Sequence, residues 1–503
     1  MEKPMKMNHI STEPASSRRS TALMTLILVQ GIMLTAVAIL SVMISVSAGA
    51  ASMCMNKGNT PSAINQQDDT FPRIAVRSGR FVEEDTGRPF IPFGANYYRV
   101  GVVSSGKNVH ATFCPGQYDR AYIEKMMADL SVWGFNTVRT FQVYHVGKDG
   151  ILASPQAREI SPEYMANMIH FLRQAKKNNI HIIFSWDIWL PESEWWSDTP
   201  LKYEGRYSLL PVSDEKMGIN NFRIVRDIVR DRVNAIVSLI EAIRREDPAL
   251  LKVVMTWELE NEVYFGADRE PFKTREGVYH FAGKDYLLSS DEQVQSLMDD
   301  IIIQWVNIFA DAIHRADKEA LVSTGVFTFH AIGRGGPGSL SKDRTLDTRI
   351  PARPMALVRS KLDYLDIHLY AWKTETVGVA DNLAQDLASV EWDELTVAAR
   401  KAGKPIMAGE AGVFANYLRK APLWTIDHEL GVRCLKEQLS EMKRQGIAGV
   451  LYWPYGNPDS TSNDDIPPLD LFPQYMKAMK DVWQADDSGK SDPNPQTDQS
   501  EAK

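Results

Sequence analysis

Between Pro72 and Trp483, short runs rich in β-branched and aromatic residues alternate with longer stretches whose apolar residues recur at spacings of three and four. No other feature constrains the fold as strongly, because repeated strand–helix–strand units build a parallel sheet clothed in helices. Eight runs qualify as strands: 90–96, 137–141, 181–186, 253–258, 321–326, 364–368, 405–409 and 449–453. Eight strands suggest a closed barrel rather than an open sheet, so the expected fold class is α/β, a (β/α)8 TIM barrel.

The segments between the strands carry helix punctuation. Ser161 can cap and Pro162 can start a helix whose apolar face includes Met165, Met168, Phe171, Leu172 and Ala175. A similar stripe, Ile123, Met126, Met127, Leu130 and Trp133, runs up to Gly134, a favourable residue just past a helix. Further helices are expected at about 224–245, 291–315, 381–400, 426–445 and 473–482. The crossover from Val326 to Tyr364 is rich in Gly, Arg and Pro and offers only a short helical segment near 355–360. Long connections follow strands three, four and five, the end of a barrel at which loops build a site.

The barrel accounts for residues 72–483. Ahead of it, Lys3, Lys6, Arg18 and Arg19 precede an almost charge-free apolar stretch from Ala22 to about Val46. Residues 1–56 therefore read as an export signal, ending near Ala48-Gly49-Ala50, or as an uncleaved membrane anchor, since the stretch exceeds the roughly 20 residues that span a bilayer. Either reading makes the protein secreted or displayed at the cell surface. Residues 486–503 are polar, with Pro493 and Pro495, and are expected to form a disordered tail. A formal net charge of −8 and the lack of a basic run argue against a nucleic-acid partner. Cys54, Cys114 and Cys434 have neither metal-ligand spacing nor a disulfide framework.

Two strands end on glutamate where a purely structural strand would finish on a turn residue: Trp257-Glu258-Leu259-Glu260-Asn261-Glu262 after strand four, and Ile406-Met407-Ala408-Gly409-Glu410 after strand seven. Two carboxyls brought to one barrel mouth from different strands are what retaining glycoside hydrolysis needs. One protonates the leaving oxygen, and the other, about 5 Å away, attacks the sugar carbon. Simple alternation puts Glu258, Glu260 and Glu262 on one strand face, so any of the three could be nominated as the acid.

Asn261-Glu262 and Gly409-Glu410 resemble glycoside hydrolase family 5. Gly94-Ala95-Asn96-Tyr97-Tyr98, Asn136-Thr137-Val138-Arg139-Thr140, Trp257-Glu258-Leu259 and His368-Leu369-Tyr370 extend the resemblance to its endo-β-1,4-mannanase branch, in order from Phe90 to Trp453. The resemblance implies Glu262 as acid/base, kept protonated by its environment and by a negative Glu410, with Glu410 as nucleophile. It implies Asn261 on the sugar 2-hydroxyl, Arg139 and Tyr370 holding Glu410 ionised, His368 beside the acid/base, and Trp453 as the floor under the sugar. Asn96 and Trp189 join the substrate-binding set, Trp189 with Trp195 and Trp196 as sugar platforms on the loop after strand three. The partner is then a β-linked polysaccharide or oligosaccharide, with no metal and no organic cofactor. Val263-Tyr264 replaces a common Pro-Arg, and Ala411 a common aromatic. An endo-β-1,4-glucanase or another family 5 specificity is the alternative, and a non-catalytic carbohydrate-binding protein a more distant one.

Overall fold

The computed structural model describes residues 71–102, 108–143, 151, 160–187, 206–207, 223–224, 226–268, 270–334, 348–370, 379–413, 427–456 and 466–484. The apolar amino-terminal stretch, the polar tail, and Trp189, Trp195 and Trp196 lie outside them. Among the described residues no helix is long and apolar enough to cross a membrane.

Eight parallel staves form the barrel: Phe93–Tyr97, Thr137–Val143, His181–Asp187, Val254–Glu258, a fifth in two pieces (Leu321–Ser323 and Gly325–Phe327), Leu365–His368, Ile406–Ala411 and Val450–Tyr452. The fifth stave breaks at Thr324. Its first piece pairs with stave four and its second with stave six, which closes the ring. Every expected strand is therefore present, shifted at its ends by a few residues.

The barrel floor is built from side chains the alternating pattern sends inward. Ile183, Met255, Leu321, Tyr364, Met407 and Leu451 form one apolar cluster, completed by Ile74 and Phe81. The last two belong to an antiparallel hairpin, Ile74–Arg77 with Arg80–Glu83, that precedes the first stave. Phe81 meets Tyr364 edge-on at 5.1 Å between ring centroids. This hairpin stoppers the lower end, so chemistry is confined to the upper one.

The outer helices follow their stripes. Helix Arg120–Val132 is capped by Asp119, which accepts from the Tyr122 N–H, and buries Ile123, Met126, Met127 and Leu130. Helix Pro162–Lys177 starts after Ser161 as expected and buries Met168, Phe171, Leu172 and Ala175. The single helix expected over 381–400 is two, Val379–Asp386 and Val390–Lys401. Ser389 accepts from the Trp392 N–H and restarts the helix, a capping role that its side chain fills better than a helix interior would. In the Gly-rich crossover only Pro354–Val358 is α-helical among the described residues.

The loops after staves three, four and five hold one another. Tyr264–Gly266 pairs with Arg349–Pro351, joining the fourth loop to the fifth. The hairpin Val278–Phe281 with Lys284–Leu287 takes Arg206–Tyr207 from the third loop as its outer strand. These small sheets brace the mouth beside the end of stave four.

Candidate active site

Stave four delivers three glutamates to three different places. Glu258, the last strand residue, is fully buried. It accepts from Arg139 Nε at 2.9 Å and Nη2 at 2.5 Å, and from the Ser185 hydroxyl at 2.6 Å. Glu260 belongs to the outer layer, paired with Arg223, whose guanidinium lies 5.2 Å from the ring centroids of both Phe265 and Trp305. Glu262 alone reaches the mouth, its side chain 25% exposed.

Backbone conformation makes this separation. Beyond Glu258 the main chain stays tied to both neighbours, Leu259 N–H donating to Ser323 O, Asn261 N–H to Trp186 O, and Gly325 N–H to Glu260 O. Glu262 then adopts φ +40°, a left-handed conformation uncommon for a side chain of its size. The turn breaks the simple alternation under which all three glutamates share a face.

Glu410 emerges from stave seven and is almost fully buried. Its Oε1 accepts from Arg139 Nη1 at 2.8 Å, its Oε2 from the Tyr370 hydroxyl at 3.0 Å. His368, at the end of stave six, sets Nδ1 3.0 Å from Glu262 Oε1 and 3.3 Å from Glu410 Oε2. The three side chains each bring one ligand-type atom to within 4.8 Å of the others, a spacing that matches the short carboxyl separation of retaining enzymes. By spacing alone the trio could hold a metal ion. Arg139 already neutralises Glu410, however, and a dication would have to be bound against that guanidinium.

The two carboxyls are electrostatically unlike. Burial raises the Glu262 pKa to about 7, helped by the negative charge of Glu258 and opposed by Arg139 and Arg349. Burial also raises Glu410, as does the neighbouring Glu262, while Arg139 and the Tyr370 hydroxyl pull it back toward the ionised form. The repulsion expected between the two carboxyls appears on Glu410, which the charge of Glu262 raises. Of the pair, Glu262 is the one that holds a proton near neutrality. Burial lowers His368 to about 4, so it is a neutral imidazole there.

Arg139 organises the remainder. It is fully buried and, besides the two glutamates, donates to Asn96 Oδ1 at 2.9 Å, Asn261 Oδ1 at 2.7 Å and Ser185 Oγ at 3.2 Å. With its oxygen held there, the Asn261 amide has its NH2 left to donate into the cleft. Asn96 is fully buried and donates to Gly409 O at 2.8 Å and Tyr452 O at 3.3 Å, so it braces the wall that carries Glu410. Trp453 is only partly buried and stacks on Tyr98, 4.7 Å between centroids and 12° from parallel, with Phe141 edge-on at 5.8 Å. A ring supported on one face leaves the other for a sugar. Trp189 lies outside the described residues. Ser185 and Tyr98 were not among the expected site residues, although each stands on a segment already read as strand or strand end.

No protein-family model matches the chain, and no curated protein matches it. Solved structures do. An endo-β-1,4-mannanase from Thermotoga petrophila superposes with a TM-score of 0.52 at 13% identity, over 79% of this chain and 77% of that one. An endo-1,4-β-mannanase from Rhizomucor miehei gives 0.51 at 15% identity, over 82% and 99%. The chain shares the fold of these mannanases. At such low identity the likeness is one of architecture, and chemistry has to be argued from the side chains.

Proposed function

We propose that the chain is a retaining β-glycoside hydrolase of the family 5 type, acting on β-1,4-linked mannan by double displacement. The observation that carries the reading is the asymmetric carboxyl pair, one at the mouth, where burial raises its proton affinity, and one fixed between Arg139 and Tyr370. Glu410 attacks the anomeric carbon while Glu262 gives its proton to the leaving oxygen, forming a glycosyl-enzyme ester. Glu262, now ionised, takes a proton from water, which attacks the anomeric carbon, expels the Glu410 carboxylate and releases the sugar with its β configuration. Asn261 donates to the 2-hydroxyl and Trp453 lies under the ring. Mannan is favoured over glucan by the named activity of the structural neighbours and by the motifs from Gly94 to Tyr370. The apolar stretch from Ala22 to about Val46 supports a place outside the cytoplasm.

Azide separates the two roles. With an activated aryl β-glycoside, Glu262→Ala should still form the intermediate and then stall; azide attacks it without a base and yields the β-glycosyl azide. With Glu410→Ala, azide can only replace the lost nucleophile from the opposite face and yields the α product. Exchange of the two products between the variants would exchange the roles. A panel of mannan, glucomannan, cellulose and xylan tests the sugar, and cleavage of cellulose in preference to mannan would overturn that part.

A further inference from the structure

Beneath the reacting pair lies a second pair of carboxyls. Glu258 and Asp366 are both fully buried. Asp366 Oδ1 accepts from the Gly409 N–H at 2.7 Å, immediately before the nucleophile. Its Oδ2 meets no donor, and the charge of Glu258 raises the proton affinity of its carboxyl. Two carboxylates cannot donate to each other, whereas a carboxylic acid and a carboxylate can.

Glycines clear the space. A Cβ on Gly409 would fall 2.0 Å from Asp366 Oδ1, and one on Gly325 would fall 3.2 Å from Glu258 Oε1 and 2.8 Å from His368 Nε2. Gly325 stands on stave five, in register with Asp366 and between the staves that carry the two acids.

We propose that Glu258 and Asp366 share a single proton, donated by Asp366 to Glu258, and that this acid–carboxylate pair is a positioning device that aims Arg139 at the nucleophile. The proposal rests on the reading of Glu410 as nucleophile. The groups facing the pair are Arg139, His368, Glu410 and the Tyr364 phenol, and Arg139 is the one cation among them. Glu258 and Glu410 already divide its charge at 2.5 and 2.8 Å. A third buried carboxylate would have no counter-ion. His368 supplies none, since burial keeps it neutral. Burial and the charge of Glu258 push Asp366 well above the ordinary carboxylate range, while Arg139 pulls Glu258 below it. With the proton on Asp366, Glu258 keeps its charge and accepts the guanidinium edge, leaving Nη1 for Glu410.

Infrared spectroscopy of the full chain at pH 8 reads the proton directly. The wild type should show a protonated-carboxyl C=O band that persists in Glu262→Gln and vanishes in Asp366→Asn. Kinetics on an aryl β-glycoside read the positioning. Asp366→Ala removes the donor, lets Glu258 draw Arg139 away from Glu410, and should lower kcat/KM at least tenfold with the acid limb of the pH profile moved upward. Asp366→Asn, whose NH2 can donate to Glu258 while its oxygen accepts from Gly409, should recover most of that loss and return the acid limb. No such band in the wild type, or Asn as impaired as Ala, overturns the proposal. If Asp366→Ala does not fold, the band and the Asp366→Asn profile still decide it. Since the band does not depend on turnover, a wild type that shows it but cleaves no β-glycoside would sink the proposed function and leave the shared proton standing.

Discussion

The proton on Glu262 can be measured as stability as well as activity. Its pKa rises from 4.5 to about 7 in the folded chain, with burial the main cause. Below pH 4.5 both folded and unfolded chains carry the proton and nothing is lost. Between 4.5 and 7 the unfolded chain releases a proton that the folded chain keeps, so stability falls as pH rises; above 7 the cost is constant. At 1.36 kcal/mol per pH unit, the cost is about 1 kcal/mol at pH 5 and about 3 kcal/mol at pH 8. Glu262→Gln imitates the protonated acid and can keep the contact with His368 Nδ1 by donating to it. It should therefore gain about 2 kcal/mol more over the wild type at pH 8 than at pH 5. Urea unfolding of both proteins at the two pH values reads this difference. As the acid of the proposed function, the same group should set the basic limb of wild-type kcat/KM near pH 7. A gain at pH 8 no larger than at pH 5 would refute burial as the source of the proton affinity, and with it the choice of Glu262 as the acid.

Further expectations test the surrounding groups. Arg139→Met strands Glu258 and Glu410 without their cation, and thermal or urea unfolding should show a loss of about 3–5 kcal/mol; near-wild-type stability would mean the network is not the brace described. Tyr370→Phe removes one hydrogen bond to Glu410 Oε2, and steady-state assays should show kcat/KM down by about tenfold, the worth of a bond to a charged group. Gly325→Ala puts a methyl against His368 and Glu258, so it should lower kcat/KM by more than tenfold, read against circular dichroism to separate displacement from unfolding. Fractionation of expressing cells should find the catalytic domain in the medium or accessible to added protease, and full-length protein confined to the cytosol would remove the export reading.

Much of the barrel is legible in the sequence because its signals are local. A strand buried on both faces shows as an apolar run, and a helix lying on it shows as a stripe such as Ile123, Met126, Met127 and Leu130. The split of stave five at Thr324 leaves no such mark, since Leu321 to Phe327 is one apolar run and the break depends on pairing with two different neighbours. The hairpin under the barrel is equally silent. Ile74 and Phe81 look like any two apolar residues until the staves they close are in place.

The site divides along the same line. Glu262 and Glu410 could be named because each stands at the end of an apolar run beside a telling neighbour, Asn261 or Gly409. Which of Glu258, Glu260 and Glu262 reaches the mouth could not be read from alternation, because it depends on one left-handed residue held between two staves. Sequence offers no warning of it, as the residue in that conformation is the glutamate itself rather than Gly or Asn. Such a conformation costs of order 1–3 kcal/mol and persists only where the surroundings over-determine it. Here the ties are the bonds from Asn261 to Trp186 O and from Val263 to Gly325 O, one to each flanking stave. They hold the residue from both sides, so relaxing φ at Glu262 would mean breaking a bond to stave three or stave five. The strain thus has a use: it lifts one of three alternating carboxyls out of the wall and into the mouth, while Glu258 stays below to hold Arg139 and Glu260 stays outside with Arg223.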